Sequence, residues 1–317
     1  MTENLKKIII FIAASVFLLY VITGLIISFV MINFFIKRPA KGWPDPIENI
    51  KGSRTPFESI IKESRAWLTA KNPETVTITS FDGIELSADI LSVPDQKNSK
   101  GTVILMHGYH SRASFEFSGF YQFFYKSGYN IILADQRSHG KSGGEYLSFG
   151  LKERYDCRDW VLFANKRFDR SKPVYLCGVS MGSSTVLMAL GLELPENVKG
   201  VIADCGYTSP AKIVELCLKR DYHLPAPLFM PLINICLKIK FGYSLSEYST
   251  LDAIKANTIP VLFIHGTNDK LVPFSMGKEN YDACTAVKQF LRTDAEHAAS
   301  FLNNTAIYQK ALEEFLK

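Results

Sequence analysis

The sequence contains no C-x-x-C pair. Its six cysteines, Cys157, Cys177, Cys205, Cys217, Cys236 and Cys284, are spaced more widely. A dithiol redox centre and a zinc ribbon are therefore not expected. Cys177 and Cys205 lie in apolar runs and read as buried free thiols. No H-E-x-x-H is present, which argues against a zinc peptidase. Gly140-Lys141-Ser142 imitates the end of a phosphate-binding loop, but the position that loop reserves for its first glycine is Asp135, so a nucleotide hydrolase is disfavoured. Internal repeats and low-complexity tracts are lacking. Excess charge is also scarce outside one end of the chain. Of the formal net charge of +5, residues 1–41 carry +4, from Lys6, Lys7, Lys37, Arg38 and Lys41 against Glu3. The remainder is nearly neutral, and no nucleic-acid partner is expected.

Charge is absent altogether from Ile8 to Ile36, which holds no Asp, Glu, Lys, Arg or His. That run exceeds the roughly 20 residues needed to cross a hydrocarbon core. It is too long for the apolar region of a signal peptide, and no small-x-small cleavage site follows it. The reading is a tilted single-pass membrane anchor over residues 1–36, with lipid as its partner. A cleaved signal or a buried helix is the alternative. Basic residues flank both ends, so the membrane side of the trailing domain is left open.

Residues 37–72 form a connector rich in proline and charge, in which Glu58–Ala70 can make one amphipathic helix. From residue 73 to 317 the pattern changes. Val76–Thr79 and Ile84–Val93 alternate around Asp82-Gly83, a hairpin signal. Short β-rich runs follow at Thr102–Met106, Asn130–Ala134, Val174–Cys177, Val198–Ala203, Ile259–Ile264 and Ala286–Leu291. Helical stretches, such as Leu151–Phe168, Met181–Leu190 and Ala299–Leu316, fall between or after them. A hairpin followed by strand–helix alternation predicts a mostly parallel sheet covered on both faces. Functional groups then belong in loops at the carboxyl ends of the strands. About residues 207–255 the alternation breaks in a long apolar stretch punctuated by prolines. It reads as a small helical cap inserted after the Val198–Ala203 strand, with a longer crossover as the alternative.

The sharpest chemical signal is Gly178-Val179-Ser180-Met181-Gly182, preceded by a strand-like run and followed by small residues that open a helix. A G-x-S-x-G turn in that setting lifts a serine out of a strand-to-helix corner, beside the backbone N–H groups of the helix start. A serine hydroxyl needs a base to take its proton. Of the six histidines, His297 lies between the last strand-like run and the last helix, which suits the chain order serine, acid, histidine. Asp269, just beyond the Ile259–Ile264 run, is the candidate carboxylate; Asp204, at the end of the preceding strand, competes with it. The candidate oxyanion donors are the backbone N–H groups of Met181 and of Tyr109, in the loop Met106-His107-Gly108-Tyr109-His110.

These motifs, together with Asp135-Gln136-Arg137-Ser138-His139-Gly140-Lys141-Ser142 and His265–Asp269 followed by Val272-Pro273, resemble the α/β-hydrolase superfamily. More narrowly they resemble its serine-aminopeptidase-like, membrane-anchored branch, over roughly Pro73 to the C-terminus. The resemblance implies an eight-stranded sheet, an acyl-serine intermediate and no cofactor; with the zinc motifs lacking, no metal is expected either. The 135–142 segment matches D-x-R-G-H-G-x-S except that Ser138 replaces a glycine, a replacement that strains any position needing positive φ. The expected activity is hydrolysis of a small acyl ester or thioester. The alternatives are a peptidase or amidase using the same triad, and a non-catalytic binding protein of the same fold.

Overall fold

Alternate residues of single five-residue strands feed two separate cores. The computed structural model describes every residue except Met1 and Asn49. In chain order the elements are helix α1 (Glu3–Phe35), helix α2 (Glu58–Ala70), strands β1 (Glu74–Thr79), β2 (Glu85–Leu91) and β3 (Thr102–Met106), helices α3 (Ala113–Glu116) and α4 (Phe120–Lys126), and strand β4 (Asn130–Ala134). Helix α5 (Glu153–Arg167), strand β5 (Val174–Val179), helix α6 (Met181–Ala189), strand β6 (Val198–Asp204), and helices α7 (Pro210–Asp221), α8 (Ala226–Phe241) and α9 (Thr250–Ile254) follow. The chain closes with β7 (Val261–Gly266), α10 (Phe274–Ala283), β8 (Lys288–Thr293), α11 (Ser300–Asn303) and α12 (Thr305–Phe315).

All eight strands join one sheet in the order β1-β2-β4-β3-β5-β6-β7-β8. Pairing is antiparallel between β1 and β2 and between β2 and β4, and parallel from β4 onward. This is the mostly parallel eight-stranded sheet that the resemblance implies. On β3, Val103 and Leu105 face a core shared with α2, α4 and α12, which includes Phe120, Tyr121, Phe124, Tyr308 and Leu312. Ile104 and Met106 face the other core, with Trp160 and Val161 of α5 and Val186 and Leu187 of α6. The side-chain period of two thus turns a continuous apolar run into two buried layers.

Several boundaries differ from expectation. The last two strands start and end two residues later than their β-rich runs suggest. Pro260 has no N–H to offer a ladder, and the Asn257 side chain occupies both the N–H and the carbonyl of Ile259. The C-terminal stretch expected as one helix is two, interrupted at Asn304, whose φ and ψ are −129° and 38°. Asn304 Nδ2 donates to Asp294 Oδ1 at 3.0 Å, and the Thr293 and Ser300 hydroxyls lie 3.1 Å apart. These bonds hold the loop after β8 against the helix start.

The chain separates into two compact units. The larger comprises residues 38–210 and 248–317 and holds the sheet. The smaller comprises residues 1–37 and 211–247 and holds α1, nearly all of α7, and α8. Among the described residues, α1 is the one helix long and apolar enough to cross a membrane.

Within the larger unit a buried cation ties the hairpin, the loop after β4 and α5 together. Arg137 Nε and Nη2 donate to the two Asp156 carboxylate oxygens at 2.7 and 2.6 Å, and Nη1 and Nη2 donate to Asp82 at 2.9 and 3.1 Å. The Arg137 and Asp156 side chains are each about 1% exposed. Removing one partner of such a pair leaves the other charge buried without compensation. Arg137→Met is therefore expected to destabilise the protein by about 3–5 kcal/mol. Adding Asp156→Leu should recover most of that loss, as read from thermal or urea unfolding of the three variants.

Candidate active site

The G-x-S-x-G segment forms the corner between β5 and α6. Ser180 has φ 57° and ψ −118°, outside the regions a side chain favours. Its N–H donates to the Asp204 carbonyl at 2.9 Å. The two glycines are there for space. A β-carbon on Gly178 would lie 2.2 Å from the Gly182 carbonyl oxygen, and one on Gly182 would lie 1.8 Å from the Met106 oxygen. No other residue type lets the helix start sit this close to β5 and β3.

The three side chains singled out from the sequence converge here. Ser180 follows β5, Asp269 follows β7 and His297 follows β8, all at carboxyl ends of parallel strands. His297 Nε2 is 2.8 Å from Ser180 Oγ, and its Nδ1 is 2.7 Å from Asp269 Oδ2. Asp269 Oδ1 accepts the backbone N–H groups of Leu271 and Val272, each at 2.9 Å. Burial alone would raise the Asp269 carboxyl. The hydrogen bonds from His265 and His297, the His297 charge and the Val272 N–H outweigh it and hold the group well below the usual carboxylate range. An ionised Asp269 fixes the His297 proton on Nδ1, so Nε2 is left to accept from the Ser180 hydroxyl. An alcohol in this position can pass its proton to the imidazole as it attacks a carbonyl carbon.

Asp204 is oriented differently. Its Oδ2 accepts from the Tyr308 hydroxyl at 3.1 Å, and burial pushes its carboxyl up to about 6. It is Asp269, not Asp204, that is hydrogen-bonded to His297. Cys205, next in the chain, brings its sulfur within 4.8 Å of the Asp269 and His297 ligand atoms. A metal cage would need a thiolate and a free imidazole nitrogen. Burial holds the Cys205 thiol protonated, and His297 is engaged at both nitrogens.

The candidate oxyanion donors flank the serine. Met181 is the first residue of α6, where a backbone N–H has no acceptor within the helix. The loop after β3 reaches Ser180 from the other side. A β-carbon on Gly108 would lie 3.3 Å from Ser180 Cβ, and Tyr109 comes next in that loop.

The other histidines of this end of the sheet serve as frame. His107 Nδ1 lies 2.7 Å from the Gly108 carbonyl, and its Nε2 accepts the Gln136 N–H at 3.0 Å. His139 Nδ1 lies 2.9 Å from the Arg137 carbonyl, and its Nε2 accepts the His110 N–H at 3.1 Å. Both rings are therefore neutral, with the proton on Nδ1, and together they lock the β3 and β4 loops to each other. His265 Nε2 donates to the Val272 carbonyl at 2.9 Å and lies 3.4 Å from Asp269 Oδ2, which holds the Asp269 turn in place. Ser138, the replacement in the family segment, does adopt positive φ, at 59°. Its N–H donates to the Gly143 carbonyl at 2.7 Å, and that bond holds the strained residue in place.

Three supporting residues escaped the sequence reading. Ser53 Oγ donates to the His297 carbonyl at 2.9 Å. Arg54 is paired with Glu116, both buried, and a Gly108 β-carbon would lie 3.2 Å from Glu116 Oε2. The Trp43 ring stacks on His110 with centroids 3.4 Å apart. All three belong to the connector, where no motif marks them. A cleft lined by Lys100, Tyr129, Pro173, Tyr175 and Pro260 opens at the amino ends of the strands, away from this chemistry.

The framing histidines make the larger unit acid-sensitive. Burial lowers His107 to about 4 and His139 to about 3, against an ordinary value near 6.5. Below pH 6.5 the unfolded chain takes up protons that the folded chain refuses, so stability falls with falling pH until the folded values are reached. Each histidine is expected to cost on the order of 2 kcal/mol between pH 7 and pH 5. Unfolding midpoints across that range check this, and His139→Gln should flatten the dependence.

The comparisons with known proteins agree with this architecture. A family model described as serine aminopeptidase, S33, matches residues 97–220. The uncharacterized protein YqkD of Bacillus subtilis is 29% identical over 220 residues, 69% of this chain and 72% of that one. The caffeoylshikimate esterase of Arabidopsis thaliana is 31% identical over 106 residues, 32% of either chain. Among solved structures, the Pyrococcus furiosus esterase Pf2001 superposes with a TM-score of 0.63 at 25% identity, covering 78% of this chain and 93% of that one. With the sheet order, the corner at Ser180 and these likenesses together, the chain has the α/β-hydrolase fold.

Proposed function

We propose that this protein is a serine hydrolase, held at a membrane by α1, that cleaves carboxylic ester or thioester bonds through an acyl-serine intermediate. The observation that carries this reading is the continuous relay from Ser180 Oγ through His297 to Asp269. Ser180 Oγ attacks the acyl carbon while its proton passes to His297 Nε2. Asp269 stabilises the imidazolium. The N–H groups of Met181 and Tyr109 receive the oxyanion. His297 then gives its proton to the departing alcohol or thiol, and the acyl group stays on Ser180. A water molecule, deprotonated by His297, attacks the acyl-serine. The acid leaves, and the proton returns to Ser180 Oγ.

One nearby carboxylate bears on the choice between esters and amino-terminal peptides. An aminopeptidase must meet a substrate ammonium group with a carboxylate. Glu116, the acid beside the Gly108 loop, is buried and already paired with Arg54. The esterase Pf2001 among the structural likenesses supports a preference for esters. The length and composition of α1 support the tether.

Three measurements test the reading. A fluorophosphonate probe is expected to label the protein at Ser180, and labelling that persists in Ser180→Ala would overturn the assignment. Asp269→Asn should lower kcat by roughly 10³–10⁴-fold, as loss of the orienting carboxylate does in other triads. Asp204→Asn should cost far less, and the reverse ranking would transfer the role to Asp204. On substrates, a panel of p-nitrophenyl esters should turn over well ahead of aminoacyl anilides. Turnover of the anilides alone would favour a peptidase.

A further inference from the structure

The smaller unit pairs α1 with a helix that is apolar all round. From Pro225 to Leu237 there is no charged side chain. Met230, Leu232, Ile233 and Leu237 of α8 are buried. A second stripe at Leu228, Pro231, Ile235 and Ile239 is exposed, reaching 83% at Ile239. Positions spaced by three and four residues share one helix face, so this is a continuous apolar stripe. A helix without a polar face is normally enclosed by protein or by lipid.

The contacts with α1 give α8 a depth and a direction. The Tyr20 hydroxyl donates to the Leu228 carbonyl at 2.5 Å. Gly24 leaves room for Leu232, whose Cδ1 would be 2.3 Å from a β-carbon there. Lys240 Nζ lies 3.4 Å from Asn33 Oδ1 and 4.9 Å from the Phe29 ring centre. The contacts advance together along both helices, so α1 and α8 run parallel. Their basic ends, Lys37 on one and Lys238 and Lys240 on the other, lie at a similar level. The ring of Tyr222 lies 5.4 Å from that of Phe35, which brings the Arg220–Asp221 end of α7 to the same charged level.

The length of α1 fits this pairing. The charge-free run Ile8–Ile36 is about 43 Å long as a helix, against a hydrocarbon core of about 30 Å. With the Ile8 end at one boundary, the other boundary falls near residues 27–28. The stretch Tyr20–Ile27 then lies inside one leaflet, and the first turns of α8 lie beside it.

We propose that α8 is itself embedded in one leaflet, with its Leu228–Pro231–Ile235 stripe facing acyl chains and Lys238, Ile239 and Lys240 at the headgroups. This rests on the reading of α1 as a membrane anchor. The α8 segment would then be a lipid-contacting element. The partner is the bilayer itself: α8 continues a surface that α1 already presents to lipid, and its lysines suit anionic headgroups.

The test uses the full chain in vesicles of phosphatidylcholine and phosphatidylglycerol that carry a diazirine on the acyl chain. After irradiation, peptide mass spectrometry maps the lipid adducts. Adducts are expected on α1 and on the exposed stripe of α8, with the α8 yield at least fivefold above that on Val287, an apolar residue exposed in the larger unit. Adducts on α1 with α8 at the Val287 level overturn the embedding of α8 and leave the anchor standing. Absence of adducts on α1 overturns the anchor reading and the proposal with it. Gly24→Leu, which fills the space taken by Leu232, should lower the α8 yield at least fivefold with α1 unchanged. An unchanged α8 yield in that variant would overturn the pairing with α1 as the cause of its depth.

Discussion

The backbone at Ser180 is the constraint on which the site depends. A residue with φ 57° and ψ −118° is held there against its own preference. What holds it is the bond from its N–H to the Asp204 carbonyl, together with the packing of two glycines against the neighbouring backbone. The same corner ends β5, starts α6 and points Oγ at His297. Relaxing the corner would move the hydroxyl, the first N–H of the helix and the β3 loop together, because Gly108 sits against Ser180 Cβ and the Val179 carbonyl while Gly182 sits against the Met106 and His107 carbonyls.

Around that corner the structure separates histidines by what their nitrogens touch. His107, His139 and His265 each have a ring nitrogen facing a backbone carbonyl, and burial keeps the first two neutral. Such rings act as rigid connectors between loops. His297 is the one placed between a hydroxyl and an ionised carboxylate. Two buried carboxylates also diverge. Asp269, given two backbone N–H groups and two imidazoles, stays charged, whereas Asp204, given a tyrosine hydroxyl, is pushed up towards neutrality. Hydrogen-bond supply decides between them, since burial acts on both in the same direction.

The smaller unit follows a different rule. Its two apolar helices meet where α1 has glycine and serine, at Gly24 and Ser28. Small residues there leave room for the two helix backbones to approach closely. The connector from Arg38 onward belongs instead to the hydrolase unit. Its Ser53 braces the His297 loop, and its Arg54 neutralises Glu116.

Much of this was legible in the chain itself. Period-two apolar runs, the Asp82-Gly83 turn, the glycine pair around Ser180 and the order serine, aspartate, histidine all act over a few residues or along a strand. They specify the sheet, the corner and the three side chains that the fold brings together. The interruption at Asn304, the positive φ at Ser138 and the choice between Asp204 and Asp269 depend on partners brought from elsewhere in the sequence. So do the brace from Ser53, 244 residues from His297, and the match of α8 to the far half of α1. Local propensity carries no record of such contacts, because hydrogen bonds and packing between distant segments exist only after the chain has closed.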